Sequence, residues 1–218
     1  MKLASIILAR TLAFVETFDL SPDGKLFYPE LVRKLVQQYK FQKFPVTIED
    51  FDESKGIVFL EGQAGNVVIQ KFTIFNTLLV LETRSNTNDS QRIITEMLEW
   101  GRDNLGLTFR PEMIRQWGYV SDLTFYSDAP LLATSPLSEL AQKTGAALSA
   151  IWKDKVVYEP TLVAVGHDPL ARKNAIAAFS IQHRGEVPFS ENKYYSEAPL
   201  PTDMHIRFLE DYEKAMAK

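Results

Sequence analysis

Histidine is the only side chain that titrates near neutrality without help from its surroundings, and this sequence carries it three times, at His167, His183 and His205. None of the three stands in a metal-ligand spacing such as HxH or HExxH, so a metal centre would have to be assembled entirely by the fold, and we expect no metal. His167 precedes Asp168 and follows the apolar run Leu162-Val163-Ala164-Val165-Gly166. The end of a strand is where a proton-transfer pair can project into a cleft, which makes His167 and Asp168 the candidate catalytic residues. Gly166, Asp168 and Pro169 are equally the residues of an ordinary turn.

The run Glu82-Thr83-Arg84-Ser85-Asn86-Thr87-Asn88-Asp89-Ser90 is the densest polar stretch and stands between a strand-like segment and a helix start. Backbone N–H groups at a helix start can hold a phosphate or carboxylate, and Arg84 could add a bidentate clamp. Arg84, Ser85, Asn86, Thr87 and Asn88 are therefore the candidate ligand-binding residues. The same residue types are what any helix cap prefers, and Asp89 would repel an anion.

Other chemistry has less to stand on. Gly62-Gln63-Ala64-Gly65 lacks a third glycine and a following Lys-Ser/Thr, so it is neither a Walker loop nor a dinucleotide fingerprint, and we expect no cofactor. No serine lies in GxSxG or SxxK. The acidic pairs Glu49-Asp50 and Asp52-Glu53 read as a solvated loop. Among the aromatics, Trp100 falls beside the main apolar stripe of its helix, and Tyr194-Tyr195 sits in a polar, proline-flanked stretch. These three are the candidate partner-binding residues, because exposed aromatics favour contacts between proteins.

The elements that must position these groups follow from composition and periodicity. A chain of 218 residues that is 45% hydrophobic can fill a core. It contains no cysteine, which removes thiol chemistry and disulfides and fits a reducing compartment, so a cytoplasmic location is expected. The net charge of -4 disfavours nucleic acid as a partner. The apolar N-terminal run is broken by Arg10, and we read it as a first strand. No apolar stretch reaches the roughly 18 residues needed to cross a bilayer, so no membrane-spanning helix is expected.

Residues 4–18 read as a strand running into the turn chemistry of Ser21-Pro22-Asp23-Gly24. A helix over 29–40 would bury Leu31, Val32, Leu35, Val36 and Tyr39. Strands at 56–63, 67–75 and 78–83 make an antiparallel meander, with the glycines of 62–66 supplying the positive φ of a hairpin. A helix capped by Asn88, Asp89 or Ser90 would bury Ile93, Ile94, Met97, Leu98, Gly101 and Leu105, and stop at Gly106. Beyond it come a strand at 119–126 and a helix from Ser135-Pro136 that would bury Leu137, Leu140, Ala141, Thr144, Leu148, Ile151 and Trp152. Strands at 161–165 and 175–182, a polar loop through Tyr194-Tyr195, and a helix from Thr202 burying His205 or Met204, Phe208, Leu209, Tyr212 and Met216 complete the chain.

This order lacks the alternation of a doubly wound fold and predicts an α+β class, with a mainly antiparallel sheet and about four helices packed on it. We read one domain over 1–218, with Ala129-Pro130 as the place where a division into halves 1–129 and 130–218 would fall. The functional expectation is a non-enzymatic binding or assembly subunit with a protein partner or a second copy of itself. The alternative is a small enzyme or ligand-binding protein using the 84–90 loop for an anion.

Overall fold

The computed structural model describes residues 1–21, 27–168, 170–171 and 176–217. Pro22, Asp23 and Gly24 of the expected turn, together with Pro169 and Ala175, lie outside the described residues. In chain order the elements are β1 (Lys2–Phe14), α1 (Thr17–Leu20), α2 (Tyr28–Tyr39), β2 (Ile57–Ala64), β3 (Val67–Phe75), β4 (Leu78–Thr83), α3 (Thr87–Leu105), β5 (Gln116–Tyr126), α4 (Ser135–Trp152), β6 (Leu162–Val165), β7 (Phe179–His183), β8 (Lys193–Ala198) and α5 (Thr202–Met216). The class is α+β, as expected. The eight strands form one antiparallel sheet in the order β2-β3-β4-β1-β5-β8-β7-β6.

The chain divides into two compact units, one of Ile6–Ser121 with Leu200–Asp203, the other of Met1–Ser5, Asp122–Pro199 and Met204–Lys218. The division falls inside β1 and β5.

In the first unit, α2 starts with Pro29 in its first turn and buries Leu31, Val32, Leu35 and Tyr39 before Lys40 ends it in the left-handed region. The meander pairs β2 with β3 and β3 with β4 in antiparallel register. Gly65, with φ of 57°, turns the first hairpin, while Gly62 lies inside β2, where a Cβ would strike the Phe41 ring. Residues 42 and 43 cover the outer edge of β2: Leu60 N–H donates to Lys43 O at 2.8 Å and Gln42 N–H to Leu60 O at 3.2 Å. Helix α3 buries Ile93, Ile94, Met97, Leu98 and Gly101 and ends on Gly106 at φ of 71°. Its cap corrects the expectation: Asn86, not a residue at 88–90, accepts from the Asn88 N–H. The helix begins earlier because Thr87 and Ser90 turn their hydroxyls into the interior.

In the second unit the stretch expected as a polar loop is strand β8. Tyr194, Ser196 and Ala198 point inward and alternate with half-buried Lys193, Tyr195 and Glu197, the period of a strand with one covered face. Helix α5 buries Leu209 as expected and, of the alternatives His205 and Met204, buries His205, but Phe208 is exposed.

The largest departure is α4. The helix forms where its Ser-Pro start and apolar repeat place it, yet only Ala141 and Gly145 are buried. Gly145 lets the chain return close by, since an added Cβ would lie 3.0 Å from Val156 O. Ser149 Oγ accepts the Val156 N–H at 2.9 Å and helps hold that return. Thr144 and Leu148 are half-buried, and the remaining apolar positions are exposed: Leu140 is 62% exposed, Ile151 70% and Trp152 65%.

Candidate functional site

The polar run at 84–90 is a structural knot of the first unit. Thr87 N–H donates to Thr202 Oγ1 at 3.1 Å, and Thr202 N–H donates back to Thr87 Oγ1 at 2.8 Å. Thr11 Oγ1 donates to Thr87 O, and Ser90 Oγ to Ala9 O, all within the buried interior. Asp203 receives the side-chain amides of Asn86 at 2.7 Å and Asn88 at 2.9 Å. Ser85 Oγ contacts the Asp89 carboxylate. The Thr87 and Asn88 N–H groups that an anion would need thus already have acceptors, and two carboxylates stand beside them. Arg84 is exposed next to this knot.

Trp100 is half-buried against the core of the same unit, edge-on to Tyr39 at a centroid distance of 6.0 Å. It helps to line an apolar cavity of about 70 Å³ with Leu35, Phe72, Met97 and Leu105.

His167 and Asp168 belong to the second unit and are both exposed. Ile176 N–H donates to His167 Nε2 at 3.3 Å, so Nδ1 carries the proton and donates to Asp168 O at 2.8 Å. Asp168 Oδ1 accepts the Leu170 N–H at 2.9 Å. Both side chains brace their own loop, and the lone pair a general base would use is spent on a backbone amide.

Composition alone could not single out the two other histidines. His205 Nε2 lies 2.8 Å from Ser196 Oγ, the separation of a nucleophile and its base, but Ser196 Oγ also lies 2.6 Å from Ser180 O and both residues are fully buried. Ser196 donates to the carbonyl and accepts from the imidazole, which ties α5 to β8 and β7 and leaves no substrate access. His183 is stacked between Phe189 at 4.0 Å and Tyr194 at 4.9 Å. Its Nδ1 is buried with no hydrogen-bond partner among the described residues. Burial lowers its pKa, against a smaller opposing pull from Glu159.

Tyr194 corrects the expectation of an exposed aromatic pair. It is fully buried, with its hydroxyl accepting the Leu131 N–H at 3.1 Å and donating to Asn192 Oδ1 at 3.2 Å. Tyr195, on the opposite strand face, is half-buried; burial and then Asp122 beside it push its phenol up. The sequence signal for this placement is the alternation through Lys193–Ala198, masked by its polar composition.

The second unit also exposes apolar surface. Besides the α4 stripe, an open groove of about 410 Å³ is lined by Val163, Val165, Phe179, Ile181, Phe208 and Tyr212. It lies between the β6–β7 hairpin and α5, with Val165 66% exposed. Strand β6 ends the sheet and carries no charged side chain. Among the described residues no group of three or more His, Asp or Glu is placed to hold a metal, and no helix is long and apolar enough to cross a membrane. Compared with models of known protein families and with curated proteins, the sequence gives no match, so the functional reading rests on this geometry.

Proposed function

We propose that the chain is a non-enzymatic binding or assembly subunit of a cytoplasmic complex, acting through the uncovered apolar surface of its second unit. The observation that supports this is the half-buried helix α4. An amphipathic helix is stable in water when a neighbour covers its apolar stripe, and here Leu140, Ile151 and Trp152 are left outside. Exposed apolar side chains, a tryptophan among them, are enriched at the centre of protein interfaces. The anion-binding reading of residues 84–90 ranks lower, because the amides it requires are bonded within the chain.

The test compares the chain with a triple variant, Leu140→Ser, Ile151→Ser and Trp152→Ser, by quantitative co-purification from extract of the source cells. Because the three side chains are exposed, the variant should keep its unfolding midpoint while losing its bound proteins. Identical sets of bound proteins on both chains would refute the reading.

A further inference from the structure

The two ends of the sheet are treated differently, and the difference points to a partner. The outer edge of β2 is bonded to residues 42 and 43 of the chain itself. Strand β6 pairs with β7 on one side, and among the described residues nothing pairs with the other. We infer that the occupant of this edge is a second copy of the chain, added antiparallel through its own β6 about a two-fold axis perpendicular to the sheet at Val163.

The ladder fixes the phase. His183 N–H donates to Thr161 O, and the register continues Val163 with Ile181 and Val165 with Phe179. In an antiparallel ladder the bonding residues alternate, so Thr161, Val163 and Val165 face β7, whereas Leu162 and Ala164 direct their N–H and C=O groups to the open side. With the axis at Val163, Leu162 of one copy stands opposite Ala164 of the second copy. Each of those two residues then exchanges ladder hydrogen bonds with the other, and every outward-facing group of β6 finds a partner.

The side chains agree with this register. Leu162, Val163, Ala164 and Val165 bring no charge to the junction, so two copies meet without the like-charge opposition that usually protects a natural edge. Carried outward, the same register sets Glu159 of one copy opposite His167 of the second copy, an acid facing an imidazole rather than another acid. Val163 and Val165 lie on the face that lines the groove beneath α5. Opposed residues on antiparallel strands share a face, so the two grooves join into one apolar trough, in which the exposed Val165 and Phe208 gain cover.

The proposal extends the assembly reading but uses a different surface, so β6 variants test the one and α4 variants the other. Because the chain has no cysteine, a single introduced thiol reports only its own position. Val163→Cys would face itself across the axis with Cα atoms about 4.5 Å apart, within disulfide range. Val165→Cys, although more exposed than Val163, would be displaced from its own copy by about 13 Å along the strands.

Under mild oxidation Val163→Cys should give a covalent dimer and Val165→Cys should not. Wild type should show by light scattering a mass of twice the 24.8 kDa chain. Ala164→Pro, which removes an outward N–H and leaves the β6–β7 ladder intact, should weaken that dimer roughly ten-fold or more. Equal cross-linking at both positions, or a wild-type monomer at every concentration, would overturn the pairing. A monomer whose α4 variant still loses a bound protein would leave the assembly reading standing without it.

Discussion

The reciprocal bonds between Thr87 and Thr202 join positions far apart in the chain inside the first unit, and they should bear a measurable share of its stability. Thr87→Val keeps the shape of the side chain but deletes the acceptor of the Thr202 N–H, now bonded at 2.8 Å. Thr202→Val does the same to the Thr87 N–H, bonded at 3.1 Å. Both residues are fully buried, so water does not replace the lost acceptor, and each variant should lose about 1–3 kcal/mol. That is a large fraction of the roughly 5–15 kcal/mol that holds a typical domain folded. Once one bond is gone the two helix starts can relax, so the double variant should lose less than the sum of the singles. Thr87→Ser retains the oxygen and removes one methyl, so it should cost only about 0.8 kcal/mol. Urea unfolding followed by tryptophan fluorescence measures all four. A Thr87→Val midpoint equal to wild type, or a Thr87→Ser loss as large as that of Thr87→Val, would refute the account.

Two other perturbations have definite signs. Gly101 lies inside α3, where a Cβ would come 2.6 Å from Leu107 Cδ1, and both residues line the apolar cavity of about 70 Å³. Gly101→Ala should displace Leu107 into that space and gain helix propensity, raising stability by at most about 1 kcal/mol; a loss in urea unfolding would show that Leu107 cannot move there. The His183 imidazole has a folded pKa lowered from its ordinary 6.5 by burial. As pH falls below 6.5 the unfolded chain takes up the proton first, so this group lowers stability through the window between 6.5 and its folded value. His183→Phe, which keeps the stack with Phe189 and Tyr194, should flatten the pH dependence of the unfolding midpoint there, and an unchanged slope would argue against the burial.

Local pattern determined a good deal by itself. The α+β class, the meander of β2 to β4, the glycine stop of α3 and the burial of Leu209 follow from periodicity, capping and turn chemistry, which act within a few residues. The strand at Lys193–Ala198 was hidden because its inward positions include Ser196, a polar group that only a distant acceptor, Ser180 O, makes affordable in the interior. The cap at Asn86 and the bonding of Thr87 likewise depend on Thr202, which no local window contains. Periodicity also showed that α4 has an apolar stripe, but a stripe says only which side chains prefer cover. Whether a neighbour supplies it depends on how the chain returns, and here residues 156–158 reach Gly145 and leave Leu140, Ile151 and Trp152 in water. The run Leu162-Val163-Ala164-Val165 reads as a strand in any context. Its place at the end of the sheet, which turns an ordinary strand into an open edge, is set by the pairing order of all eight strands, because hydrogen-bond partners in a sheet are chosen across the chain and not along it.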